Sequence, residues 1–212
     1  QADIDAGHYY TLSGVVPNAG DIKFVPQRDI EYKQEITDED RTILGKDVPD
    51  FTYGVNLSLQ YKGFEFSMFG QGISGTKVAF DVYGVHPFYH GQDSPRKYHL
   101  KRWTEENPNP HAAYPRIYSA SSVHTTYNRN FSDYHLFDSD YFRFKTLSLG
   151  YTVPSATVKN WGLQSLKVYV TGENLFTVRA DKKMEDFDPE TAGGVIYTLG
   201  TKSVAFGVNI SF

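Results

Sequence analysis

Residues 51–61 alternate without a break. Phe51, Tyr53, Val55, Leu57, Leu59 and Tyr61 are apolar or aromatic, and Thr52, Gly54, Asn56, Ser58 and Gln60 stand between them. A repeat of two puts successive side chains on opposite faces, so this segment predicts a strand with two different environments. Lys62-Gly63 then predicts a tight turn, glycine supplying positive φ. A return strand over about 64–72 sets Phe64, Phe66 and Met68 against Glu65 and Ser67, which completes a β-hairpin. The last strand, about 202–212, repeats the pattern: Val204, Phe206, Val208, Ile210 and Phe212 on one face, Ser203, Ala205, Gly207, Asn209 and Ser211 on the other.

Two further strands lie between, at about 141–152 and 164–175. In the second, Leu166, Val168 and Val170 alternate with Lys167, Tyr169 and Thr171. In the first, Leu147, Leu149 and Tyr151 share one face and Phe142 and Phe144 fall on the other. A bulge near Lys145 or a change of environment is needed to reconcile them. The connections alternate in length: long loops at about 13–50, 75–139 and 177–200, short turns at Lys62-Gly63 and around Pro154. An up-and-down outer-membrane barrel has short periplasmic turns and long extracellular loops, and the alternation fits that arrangement. The fold expected is all-β, an antiparallel transmembrane β-barrel segment of five to six strands, too few to close, because the smallest such barrels have about 8. A soluble β-sandwich also gives one apolar face per strand. Solvated sheet faces commonly carry Lys, Glu and Arg, whereas residues 51–61 and 203–212 offer only small neutral side chains on the second face.

Composition sharpens this. Tyr (16), Phe (15) and Gly (18) abound against 2 Met, which favours strands and tight turns. The formal charge of −4 gives no reason to expect nucleic acid as a partner, and the absence of cysteine excludes disulfides and thiolate metal sites. No apolar run approaches the roughly 18–20 residues of a transmembrane helix, a point without weight for a barrel. Gln1-Ala-Asp-Ile-Asp5 lacks the basic and apolar segments of a signal peptide. The expectation is that one has been removed or that the chain begins within something larger.

Candidate chemistry is sparse. Thr37-Asp-Glu-Asp40 suits the start of a short helical turn, and its acidity also invites a calcium reading, but the spaced Asp-x-Asp-x-Asp-Gly loop is missing. Gly70-Gln-Gly-Ile-Ser-Gly-Thr-Lys77 lacks the order of a phosphate loop. Ser94-Pro-Arg-Lys97 has a Ser-x-x-Lys spacing without its partner motifs. Glu105/Glu106 and Asp186/Asp188/Glu190 pair carboxylates as a glycosidase would, but nothing positions them, so they read as solvated loop charge. His86, His90, His99 and His111 share one loop without metal-site spacing, and no cofactor or metal is expected. Tyr89, Trp103 and Tyr118 are candidate ligand-binding aromatics, able to stack on a sugar or line a peptide groove; structural packing of the loop is the plainer role for each.

Four stretches form a specific series: Gly20-Asp-Ile-Lys-Phe24 with Asp38-Glu-Asp-Arg-Thr-Ile-Leu-Gly45; Asp50–Ser58 through Tyr61-Lys-Gly-Phe-Glu-Phe-Ser67; Arg102-Trp-Thr-Glu-Glu-Asn-Pro-Asn109 with Tyr114-Pro-Arg116; and Tyr141–Pro154. Tyr169-Val-Thr-Gly-Glu-Asn-Leu-Phe176 and the terminal Phe212 follow. Together they resemble the C-terminal part of the SusC/RagA-type TonB-linked outer-membrane transporters of Bacteroidetes, over nearly the whole chain from about Gly20. The resemblance implies a 22-stranded barrel in the outer membrane of a Gram-negative cell, of which these are the last strands. It also implies import of glycans, oligosaccharides or peptides with energy from TonB, a plug domain in the lumen and a SusD-like surface lipoprotein outside. The chain carries no plug domain, so its expected partners are the remaining barrel and plug, the lipoprotein, TonB through the plug-bearing part, membrane lipid and the substrate. Phe212 is expected to act as the barrel assembly signal. The family's Asp-x-Asn-Gly-Asp-Gly-like segment is replaced here by Val25–Glu35, which weakens any divalent-ion role. The readings set against this one are a soluble β-sandwich that binds carbohydrate and, behind it, a hydrolase using the loop carboxylates.

Overall fold

The computed structural model describes residues 1–79, 86–88, 94–181, 188–190 and 200–212. The chain divides into two units, Gln1–Gly45 with Ala79–Leu136 and Lys46–Val78 with Phe137–Phe212.

The second unit is one antiparallel sheet. Its strands, in the chain's full numbering, are β3 (Phe51–Tyr61), β4 (Phe64–Ser74), β7 (Tyr141–Thr152), β8 (Ser165–Arg179) and β9 (Ser203–Ser211). They are ordered β3-β4-β7-β8-β9, each beside its sequence neighbour. β8 runs four residues past the strand expected from alternation, to Arg179. The turn at Lys62-Gly63 has both residues at positive φ, 46° and 85°, as a two-residue hairpin turn of the primed type requires. After Pro154 the chain makes one short helix, α3 (Ser155–Lys159), whose Val158 is fully buried.

Register shows which residues share a face, because directly paired residues point the same way. Leu59, Phe66, Leu149, Val170 and Phe206 form one row across all five strands, and Tyr61, Phe64, Tyr151, Val168 and Val208 another. The opposite face carries rows such as Ser58, Ser67, Ser148, Thr171 and Ala205. The bulge is there: Phe69 pairs with Thr146 but Gly70 with Phe144, leaving Lys145 as the extra residue. Beyond it Phe142 and Phe144 rejoin the apolar face, opposite Val178 and Phe176. The glycines of β4 make room there. Tyr53 and Phe142 stack 3° from parallel across that strand, and a Cβ at Gly70 would meet the Phe142 ring at 2.5 Å.

The apolar face stays exposed, Phe206 by 84 % and Leu59 by 55 %. No helix among the described residues is long and apolar enough to cross a membrane, which says nothing of strands.

The other unit is built from the two long connections. β1 (Thr11–Leu12) pairs in parallel with β2 (Glu35–Ile36), and a helix, α2, spans Val123–Arg129. This unit also holds α1 (Ala2–Asp5) and short 3-10 turns at Asp38–Asp40, Lys97–Lys101 and Asp133–His135, and elsewhere β5 (Lys77–Ala79) pairs with β6 (Leu136–Asp138). The described parts of these connections thus hold more regular structure than their irregular patterning suggests. Asp21 explains part of this. Its side chain has no exposed surface, and it accepts from His124 Nδ1 (2.8 Å), Asn128 Nδ2 (2.8 Å) and the Asn18 amide (2.7 Å). The Gly-Asp-Ile-Lys stretch is thereby tied to α2.

Asp40 plays the same role nearer home. Five donors from Gln27, Arg28 and Thr37 occupy its two oxygens, which hold its carboxyl well below the ordinary range, chiefly through the Arg28 side chain. The turn at Asp38–Asp40 is a 3-10 turn that follows Thr37, so the expected helical start is present. The carboxylate that made calcium attractive is engaged by protein donors instead.

Candidate ligand site on the polar face of the sheet

The polar face of the sheet holds two charged features that alternation alone did not single out. Near the hairpin turn, Ser58, Gln60, Ser67, Ser148, Tyr169 and Asn209 are among the residues around a concavity of about 310 Å³. Glu65 and Lys167 form an ion pair at its edge, and Thr152 Oγ1 donates to Glu65 at 3.4 Å. The small residues on this face make the hollow: Tyr169 lies over its partner Gly207, where any Cβ would collide with the ring.

Towards the far ends of β4 and β7 the face becomes strongly ionic. Arg143, on β7, is only 4 % exposed. Its Nη2 donates to Asp188 Oδ1 at 2.6 Å, its Nη1 to Glu190 Oε2 at 2.7 Å and its Nε to Thr177 Oγ1 at 2.9 Å. Lys145, the bulge residue, reaches Glu190 at 2.6 Å. Tyr141 Oη (3.3 Å) and Gln71 Nε2 (3.4 Å) donate to the same carboxylate. Asp188 also accepts from the Glu190 amide and lies against Gly200, where a Cβ would overlap its carboxylate. Burial alone would raise the Asp188 pKa, but the Arg143 hydrogen bond and the Glu190 amide outweigh it and hold the carboxyl below its ordinary value.

This corrects the reading of Asp188 and Glu190 as solvated loop charge. Asp188 is buried and both carboxylates are neutralised by cations of the sheet. It also argues against Asp188 as a general acid, which needs a raised pKa; Asp186 lies outside the described residues. Glu105 is paired with Arg116 at 2.9 Å, and Glu106 is held below the ordinary range chiefly by a backbone amide.

Of the candidate aromatics, Trp103 and Tyr118 come together around Arg116, whose guanidinium carbon lies 5.7 Å from one ring centre and 5.3 Å from the other. Trp103 also covers Gly20, which sits at φ 89° and has no space for a side chain. Tyr118 stacks on His124 at 5.0 Å and borders an open depression of about 450 Å³ with Phe88 and Ile117. Both rings are therefore engaged in packing the connection. Tyr89 and His90 lie outside the described residues. His86, His99 and His135 are buried, the first two against Tyr114. Among the described residues no group of metal-ligating side chains forms. Phe212 ends the chain 82 % exposed.

Arg143, Lys145, Glu65 and Lys167 are the functional candidates that patterning missed. A signal existed: each is a charge within a strand whose neighbours are otherwise apolar, aromatic or neutral, and a membrane barrel carries such charges on its inner face.

No family model matches the chain. Two receptors of Formosa agariphila do. TonB-dependent receptor P3 is 29 % identical over 79 % of this chain and 15 % of its own length, and TonB-dependent receptor P26 is 28 % identical over 84 % and 18 %. The chain thus spans less than one fifth of these relatives. Among solved structures, the RagAB peptide importer in its closed-closed state superposes with a TM-score of 0.62 at 24 % identity, over 90 % of this chain and 21 % of that one. The RagAB peptide transporter gives 0.54 at 26 %, over 77 % and 17 %. These relatives are named as receptors and transporters, not as enzymes. Motif order, curated relatives and fold agree, and the chain resembles the C-terminal barrel part of the SusC/RagA-type TonB-dependent receptors.

Proposed function

We propose that this chain is the C-terminal barrel portion of an outer-membrane, TonB-dependent nutrient importer that works with a SusD-like surface lipoprotein. The observation that carries the reading is the pair of faces on one five-stranded meander, apolar and exposed on one side, neutral or ion-paired on the other. Lipid suits the first face, and a lumen filled by a plug suits the second. Open strand edges in a bilayer leave unsatisfied backbone groups, so the remaining strands come from elsewhere in the receptor. We read Phe212, exposed just after the last strand, as the assembly signal. The transported nutrient is a peptide or a glycan; RagAB favours the first by analogy.

A soluble sandwich would need a second sheet over the apolar face. Among the described residues the two other sheets are two-stranded ribbons, which leaves that reading without support.

The test uses the full-length gene that encodes this chain. Its product should fractionate with the outer membrane and need detergent for release. Its deletion should abolish uptake of either labelled oligopeptides or labelled oligosaccharides. Recovery of the product in aqueous buffer as a stable monomer, or unchanged uptake of both probes, sinks the proposal. Removing Phe212 should lower the outer-membrane level of the receptor, read by immunoblot, without changing its transcript.

A further inference from the structure

We propose that the wall around Arg143 is a binding site for a ligand carboxylate, occupied in this structure by the chain's own Glu190. The inference rests on the reading of the polar face as the wall of a transport lumen.

Four donors from two adjacent strands converge on one carboxylate. They are Arg143 Nη1 at 2.7 Å, Lys145 Nζ at 2.6 Å, Tyr141 Oη at 3.3 Å and Gln71 Nε2 at 3.4 Å. All of them belong to the sheet, whereas Glu190 comes from the β8–β9 connection. The four donor side chains are therefore supplied by the sheet and not by the connection that carries Glu190. Thr177 on β8 holds Arg143 Nε from another side, a hold that the sheet keeps when the Glu190 side chain leaves; Asp188, on the same connection as Glu190, adds a second. The bulge adds Lys145 as a second cation without turning Phe142 or Phe144 away from the apolar face.

The two acids are unequal. Asp188 has 7 % of its side chain exposed and Glu190 has 23 %. Asp188 is the fixed half, and Glu190 is the half that an incoming anion can reach. Among the described residues, Arg143 pairs with both carboxylates and Lys145 with Glu190, while Arg179 also acts on Asp188. Loss of Glu190 takes a shared carboxylate from Arg143 and Lys145, and a ligand carboxylate replaces it with the same charge-assisted bonds. The ligand class is a carboxylate at the end of a larger molecule: the C-terminus of a peptide or the uronate of an acidic glycan. Glu190 acts as a tethered competitor, lowering apparent affinity by the fraction of time it occupies the site.

The experiment uses the full-length receptor in detergent and radiolabelled acetate as probe, in equilibrium dialysis at constant ionic strength with chloride as balance. Heat-modifiable migration identical to wild type certifies that each variant is folded. Glu190→Gln should bind acetate about tenfold more tightly than wild type, and adding Lys145→Met should reverse the gain. Displacement of acetate by a free-acid tripeptide but not its amide assigns a peptide source. Displacement by oligogalacturonate but not its methyl ester assigns an acidic glycan. Equal acetate binding in wild type and Glu190→Gln, no effect of Lys145→Met, or displacement by neither free acid overturns the proposal. A receptor that still enters the outer membrane and supports uptake then leaves the importer reading standing. Failure of that reading shows separately, as wild-type protein in the soluble fraction.

Discussion

Asp21 illustrates how one residue organises a connection. Its carboxylate meets His124 across 103 residues of sequence and Asn128 across 107. Hydrogen bonds to a charged group are worth about 1.5–3 kcal/mol each, and removing the acceptor strands its donors. Asp21→Ala should therefore destabilise this unit by roughly 3 kcal/mol, read as protease cutting of the intact receptor at concentrations that spare wild type. Asp188 gives a pH statement. Its folded pKa lies below the ordinary 3.8, so its stabilising contribution is complete above that value and is lost only as pH falls through the lower, folded one. The intrinsic-rate-corrected protection factor of the Glu190 amide, which donates to Asp188, should stay constant from about pH 7 to pH 5. A fall within that window would mean the carboxylate is not held by Arg143. Neither bond was legible in the chain. Gly20-Asp21 is recognisable as a motif, but its partners are set by tertiary folding, and Asp188 is separated from Arg143 by 45 residues.

At the scale of the element, far more was readable, because a strand's period and a turn's chemistry are local. The alternation of 51–61 follows from side-chain parity and the Lys62-Gly63 turn from glycine's backbone freedom, while parity in 141–152 leaves a bulge near Lys145 or a change of environment. What parity leaves out is the partner of the bulge residue, the Glu190 carboxylate beside Lys145. Two expectations follow. Lys62 holds a left-handed conformation that costs most L-residues about 1–2 kcal/mol and that asparagine tolerates. Lys62→Asn should stabilise the hairpin by roughly 1 kcal/mol, seen as a higher temperature for loss of the heat-modifiable band. Deleting Lys145 should do the reverse. With the extra residue gone, either Phe142 and Phe144 turn to the polar face and Arg143 to the apolar one, or the register with β4 slips. The heat-modifiable band should be absent, and a band of wild-type intensity would show that the bulge is dispensable.

For the whole molecule the decisive quantity is unsatisfied edge. β3 and β9 are the outermost strands of the meander, and every residue of β3 is exposed. In water the apolar rows between them would lie open, Phe206 most of all. In a bilayer the rows would be content and the edges would not, since each unpaired backbone group in hydrocarbon costs several kcal/mol. Five strands satisfy neither solvent, because only a closed barrel satisfies both conditions at once. The sheet's stability is therefore a property of the barrel it completes. The consequence is testable with two expressions from the same promoter. Secreted to the periplasm alone, residues 1–212 should aggregate or be degraded, giving no heat-modifiable species in the membrane fraction. The full-length receptor should give one, and within it the amides of β3 and β9 should be as protected from hydrogen exchange as those of β7. Equal protection in the isolated 212-residue chain would mean that the edges pair between copies, and the sheet would then be an assembly unit in its own right.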